Sequence, residues 1–157
     1  MAHLPAFQAF FDRHRDLVYR FLLVSVGPDE AADCLQETFL AALRAYPRLQ
    51  PGSHLRAWVL TIAHHKAIDA HRSRGRRPLP VELLPDDPVA PPALPDPTLW
   101  KAVGALPPRQ RAAIVLRFVS DLPYAHVAKV MGGTEAAARQ NVRDGLGRLR
   151  EEWRDDG

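Results

Sequence analysis

The chain has 157 residues and a single cysteine, Cys34. One thiol excludes a disulfide framework and a thiolate zinc site, and it suits a reducing, cytoplasmic setting. Cys34 itself reads as a small packing residue. Long uncharged apolar runs are also lacking. In MAHLPAFQAFFDRHRDLVYR every candidate run is interrupted by charge, so neither a signal peptide nor a membrane span is expected there. There is no internal repeat. Neither sign of charge dominates: 21 Lys and Arg stand against 18 Asp and Glu, a net charge of +3. That permits a nucleic-acid partner without requiring one. The hydrophobic share of 46% and charged share of 25% are those of a soluble globular protein. The length suits one ordinary domain or two small ones.

What is present is helical periodicity. From Pro5 to Ser25, Phe7, Phe10, Phe11, Leu17, Val18, Phe21 and Leu22 share one broad face. Gly27-Pro28 breaks that helix. A second is expected from Pro28 to Tyr46, with Ala32, Leu35, Phe39, Ala42, Leu43 and Tyr46 in one arc. Asp29, Glu30, Asp33, Gln36 and Glu37 cluster opposite, and Leu40 lies among them. Such a face is either solvated or a protein-binding surface.

After the loop Pro47–Gly52, Ser53 can cap a third helix running to about Arg72. Val59, Leu60, Ala63, Ala67 and Ala70 form a small-residue core face. Trp58, Thr61, His65, Asp69 and Arg72 form a second stripe, leading into His71, Arg74, Arg76 and Arg77. An aromatic on a polar stripe beside a basic cluster suits a single strand, with bases on the ring and phosphates on the arginines. Alternatively, Trp58 closes the core from its edge. His65 and Asp69 share a face at hydrolase-like spacing. His64 and His71 point elsewhere, however, and no glutamate stands as a general base, so no metal site is expected.

Residues 78–97, PLPVELLPDDPVAPPALPDP, carry too many prolines for a regular helix and read as an acidic, polyproline-like linker. Beyond it, Leu99, Trp100, Val103 and Leu106 mark a short helix stopped by Pro107-Pro108. Ala112, Ile114, Val115, Phe118 and Val119 mark another. Then comes DLPYAHVAKVMGGTEAAARQNVRDGLGRLREEW. Pro123 opens a helix carrying Val127, Val130 and Met131, Gly132-Gly133 stops it, and Thr134 caps the next, with Glu135 in its first turn. That last helix buries Ala138, Val142, Leu149 and Trp153, and turns Arg139, Gln140, Asn141, Arg143, Arg148 and Arg150 elsewhere. This is the helix-turn-helix pattern, with Arg and Gln able to read base edges. The fold class expected is all-α: two small helical domains joined by a Pro-rich linker, the second a helix-turn-helix domain.

In this order, the segments resemble the extracytoplasmic-function group of bacterial sigma factors. YRFLLVSVGPDEAADCLQETFLAAL looks like the family's core-polymerase-binding segment, and GSHLRAWVLTIAHHKAIDAHRSRGRR like its promoter-melting, minus-ten-reading helix. ALPPRQRAAIVLRF and Leu122–Arg150 look like the helix-turn-helix domain. The resemblance implies a first domain over residues 1–77, a linker over 78–97 and a second domain over 98–157. It implies core-polymerase contacts at Asp33, Gln36, Glu37 and Leu40. It implies minus-ten contacts at Ser53, His54, Trp58, Thr61, His65, Asp69 and Arg72, and minus-35 contacts at Thr134, Arg139, Gln140 and Arg143. The family often has arginine or asparagine where His64 and His65 stand, a basic residue where Asp144 stands, and glycine where Ala136 stands.

The expected function is that of a subunit binding core RNA polymerase and promoter DNA, duplex at minus-35 and melted at minus-ten. It would have no active site, no cofactor and no membrane insertion, and its implied partners include an anti-sigma factor. A stand-alone helix-turn-helix regulator is the alternative; it would need a dimer interface for a palindromic operator, and no spare apolar helix offers one.

Overall fold

The computed structural model describes residues 3–73 and 96–155. Arg74, Arg76, Arg77 and most of the expected linker fall outside these residues, and so does the side chain of Trp153. The first helices are α1 (Phe7–Val26), α2 (Pro28–Ala45) and α3 (Leu55–Arg72), with a 3-10 turn at Tyr46–Arg48. Then follow α4 (Pro97–Gly104), α5 (Pro108–Ile114), a π turn at Val115–Val119, α6 (Tyr124–Met131) and α7 (Glu135–Asp155). Among the described residues there is no strand.

α1, α2 and α3 pack pairwise around Phe10, Val18, Phe21, Leu35, Phe39, Leu60 and Ala63, all buried. The turn between α1 and α2 works because Gly27 takes a φ of 88°, where a side chain would be strained, and Pro28 then supplies the pre-set first helical position. Phe7, Phe11 and Leu17 close this core from its rim. Burial on α2 is centred on Ala31, Leu35, Thr38 and Ala42. Leu43, expected in the inner arc, lies roughly 120° from Ala31 at 100° per residue and is 49% exposed. It joins Leu40 on the outside. Cys34 is buried. Burial, with the carboxylates of Glu37, Glu30, Asp33 and Asp69, pushes its thiol up to about 11, so it stays protonated and unreactive near neutrality.

Ser53 is not the cap of α3. Its hydroxyl donates to the Gln50 carbonyl at 2.7 Å, and the helix starts two residues later, where His54 Nδ1 accepts from the Ala57 amide at 3.1 Å. The linker also ends earlier than expected. Asp96 accepts from the Thr98 and Leu99 amides at 3.1 and 3.2 Å, and Pro97 takes the first turn of α4, the one helical place proline fits.

In the second unit α5 and α7 pack against each other, and α6 packs on α7. The helix-turn-helix forms as read. Gly132 is left-handed at φ 71°, Gly133 donates to the Ala128 carbonyl at 3.0 Å, and the Thr134 hydroxyl accepts from the Ala137 amide at 3.0 Å. Phe118 departs from expectation: it is 53% exposed, while Leu116 is fully buried. The π turn at Val115–Val119 adds a residue to the turn and rotates the side chains beyond it, so a regular 3.6-residue count assigns Phe118 to the wrong face. The two units also meet: α3 lies on α6, and α1 on α4 and the π turn.

Gly145 fills the gap between Val142 and Leu149 on the inner face of α7. A Cβ there would lie 2.4 Å from Ile114 Cδ1 and 3.4 Å from Gln110 Cβ. At Gly147 nothing lies within 4 Å. Alanine in a helix interior gains up to about 1 kcal/mol over glycine, and overpacking costs about 1–3 kcal/mol. Gly147→Ala is therefore expected to raise the midpoint of urea unfolding and Gly145→Ala to lower it or leave it flat. Ile114→Val, which removes the clashing methyl, should cost less stability in the Gly145→Ala background than in the wild type.

Candidate functional site

The outward face of α2 carries Glu37, Leu40 and Leu43, all exposed, with Asp33 and Gln36 partly buried beside them. Leu40 is 45% exposed. Asp33 and Glu37 precede an exposed apolar pair on one helix face and exposed Arg44 follows it, an arrangement suited to a partner with an apolar pocket and a basic group at one end.

The stripe on α3 divides. His65, Asp69 and Arg72 are exposed, whereas Trp58 and Thr61 are partly buried. The Trp58 indole packs 5.7 Å from the Phe10 ring and 6.2 Å from that of Tyr46, so it closes the core edge while keeping part of one face outward. The Thr61 hydroxyl donates to the Ala57 carbonyl at 2.8 Å and has only acceptor capacity left. Ser53 is partly buried and His54 exposed, at the foot of the helix. Periodicity groups these residues correctly, but spacing says nothing of which hydroxyls the backbone already holds.

On α7, Arg139, Gln140 and Arg143 are all exposed. Arg139 is clamped twice: its Nη2 pairs with Glu135 Oε1 at 3.0 Å, and its guanidinium lies 4.4 Å from the centre of the Tyr124 ring. Gln140 donates from Nε2 to Asp144 Oδ1 at 2.8 Å. An ionised carboxylate only accepts, so the amide oxygen of Gln140 is turned away from Asp144. Tyr124 escapes a reading of the sequence because it belongs to the other helix of the pair, and no spacing rule links it to Arg139. Thr134 is exposed. Its hydroxyl oxygen caps α7 while its hydrogen remains available to an acceptor such as a phosphate. Among the described residues no three His, Cys, Asp or Glu side chains gather as they would around a metal ion, and no helix is long and apolar enough to cross a membrane.

Residues 10–77 match the family described as Sigma-70 region 2, and residues 98–149 that described as Sigma-70, region 4. The RNA polymerase sigma factor CarQ of Myxococcus xanthus is 32% identical over 93% of this chain and 88% of its own length. The chain belongs to the sigma-70 family of RNA polymerase sigma factors. Within it, the chain falls in the extracytoplasmic-function group. The group member SigE of Mycolicibacterium smegmatis is 31% identical over 96% of this chain, which spans 62% of SigE's length. The sigma factor RpoE of Bartonella quintana, solved with the anti-sigma factor NepR, superposes with a TM-score of 0.78 at 25% identity, over 96% of this chain and 98% of RpoE. Sigma factors are transcription-initiation proteins, and the two matched regions fall on the two helical units of this one.

The cap of α7 fixes where the second helix of this sigma factor's helix-turn-helix begins. Thr134→Ala is expected to cost about 1 kcal/mol, and Thr134→Ser or Thr134→Asp to restore most of it. Chemical denaturation followed by helical circular dichroism measures both.

Proposed function

We propose that this sigma factor docks on core RNA polymerase through Asp33, Gln36, Glu37 and Leu40, with Leu43 extending the patch, and that the polymerase supplies all the chemistry. The first domain, over residues 1–77, would take the melted minus-ten strand along Ser53, His54, Trp58, Thr61, His65, Asp69 and Arg72. The second, over 98–157 with Asp96 and Pro97 opening its first helix, would set α7 in the major groove of the minus-35 element. There Arg139, Gln140 and Arg143 read base edges and Thr134 meets a phosphate. An anti-sigma factor covering these surfaces completes the set of partners, and the setting is the cytoplasm.

The observation that carries this reading is the outer face of α7. Three fork-bearing side chains stand exposed behind a glycine turn and a threonine cap, and two of them are held in place by Glu135, Tyr124 and Asp144. Arg and Gln so presented are the groups that pair with guanine and adenine in the major groove. The exposed leucine pair, with Asp33 and Glu37 to one side of it, supports the docking face in the same way. Co-purification with core polymerase, followed by run-off transcription from a genomic fragment library, tests the whole. Absence of both binding and promoter-specific transcripts would sink it.

Two sets of variants separate the surfaces. Asp33→Arg with Glu37→Arg reverses the charge of an outer helix face, which costs little folding stability, whereas like-charge contact at an interface costs several kcal/mol. Holoenzyme assembly is expected to fail while the circular dichroism spectrum stays unchanged. Wild-type assembly by the double variant would mean that α2 is not the docking face. On α7, Arg139→Ala and Gln140→Ala should each cost about 1–3 kcal/mol and relax preference at one base pair. Arg148→Ala and Arg150→Ala should weaken all sequences alike. Selection from randomised upstream elements reads the difference, and unchanged base preference in both Arg139→Ala and Gln140→Ala would remove α7 from the reading role.

A further inference from the structure

The contact between the two domains is lined by histidine. His54, His64 and His71 fall on one side of α3, within an arc of about 100°. The His54 ring lies 4.0 Å from that of His126 on α6, centre to centre. His126 Nδ1 is buried without a hydrogen-bond partner. His64 packs on the Phe21 ring, 6.4 Å between centres, and feels Arg109 and Arg111 of α5. His71 Nε2 is 2.8 Å from the Ser25 carbonyl oxygen and 3.0 Å from Arg111 Nη2. Arg111 in turn donates from Nη1 to the Gly104 carbonyl at 3.1 Å.

We propose that this histidine-bearing side of α3 is an interaction surface for the chain's own second domain, that the seam holds the free protein closed, and that protonation of His54 and His64 opens it. The chemistry of His54 is decisive. Its Nδ1 caps α3 by accepting from the Ala57 amide, and an imidazolium has no acceptor to offer. The cap is lost in the closed and the open form alike, so the bias toward opening comes from the cation that protonation sets against His126, whose ring centre lies 4.0 Å away in the closed form.

The groups acting on His54 are His126 from α6, Arg56 from α3 and His14 from α1. Those acting on His64 are His65 from α3 and Arg109 and Arg111 from α5. None of these groups is a carboxylate, so a proton added to His54 or His64 meets positive or protonatable neighbours. Burial first, and then these neighbours, lower both rings, His64 to about 4. A base lowered in the closed form contributes its full stabilisation above its ordinary value. That stabilisation is lost as the pH falls from 6.5 toward 4 for His64, because the open form takes the proton first. The closed-to-open ratio then drops by up to about tenfold per proton for each pH unit. Part of the burial of His64 comes from α1 and survives opening, which makes tenfold an upper bound.

The consequence for transcription rests on the promoter reading proposed above. Minus-35 and minus-ten elements lie about 25 base pairs apart, roughly 85 Å of duplex at 3.4 Å per base pair. Domains in ring-to-ring contact cannot occupy both, so the seam must break before the promoter is engaged, and the closed form stores the protein in a state that cannot bind it.

Small-angle X-ray scattering on the intact chain, without DNA or polymerase, tests the seam independently of that reading. At about pH 7.5 the radius of gyration should be near 15 Å, the value for one compact body of this length. At about pH 5.5 it should rise by several ångströms with helical circular dichroism unchanged. The His54→Asn, His64→Gln double variant cannot gain these protons, and asparagine keeps an N-cap acceptor. It should stay compact at both pH values. A wild type that stays compact at the lower pH, a variant that opens equally, or an expansion accompanied by loss of helix would each overturn the proposal.

Discussion

Burial of α3 from both sides is the constraint on which the rest of the molecule depends. One side is nearly all small: Ala57, Ala63 and Ala67 are buried beside Val59 and Leu60. Small residues let α1 and α2 approach closely, and the large side chains of that core, Phe10, Phe21 and Phe39, come from those two helices instead. The other side receives α6 and the histidine contacts. Each domain alone lies near the size at which a single core only just offsets chain entropy. The area shared across α3, and across α1 where it meets α4 and the π turn, therefore adds burial that neither unit has alone. That area includes the contacting rings of His54 and His126.

The helices themselves are legible in the sequence because each carries a stripe at helical spacing and a stop signal with a mechanism: Gly27-Pro28, Pro107-Pro108, Gly132-Gly133. What escapes is whatever depends on geometry between helices or on a departure from 3.6 residues per turn. Phe118 goes to the wrong face because a π turn looks like ordinary helix in sequence. Leu43 does so because the direction in which α2 faces its neighbours is set by α1 and α3, and an arc drawn from α2 alone is about one residue out. The capping role of His54 falls to Ser53 in a sequence reading, since serine is the commoner cap and imidazole caps only in its neutral form.

The candidate surfaces are legible by residue type but not by state. Sequence spacing groups Arg139, Gln140 and Arg143 and separates them from the buried stripe of α7. It cannot say that Glu135 and Tyr124 hold Arg139, or that Asp144 turns the amide of Gln140. The same holds on α3, where Thr61 has already committed its donor to the Ala57 carbonyl and Trp58 has one edge in the core.

These internal partners set how much a binding event can gain. A side chain already held in its binding rotamer loses less entropy on association, about 0.5–1.5 kcal/mol less per long side chain. It must also exchange an existing bond for a new one. For Arg139 the contact with Glu135 uses Nη2, and the guanidinium lies over the Tyr124 ring, so under the proposed reading the remaining N–H groups of the fork are the ones a guanine edge would take. For Gln140 the carboxylate of Asp144 occupies the donor half of the amide and puts a negative charge on the outer face of α7. Adenine recognition through both halves of the amide then requires breaking that bond, whereas contact through the amide oxygen alone does not. Asp144 thus restrains which half of its neighbour's amide is presented, and under the proposed reading base preference would depend on the pair rather than on Gln140 alone.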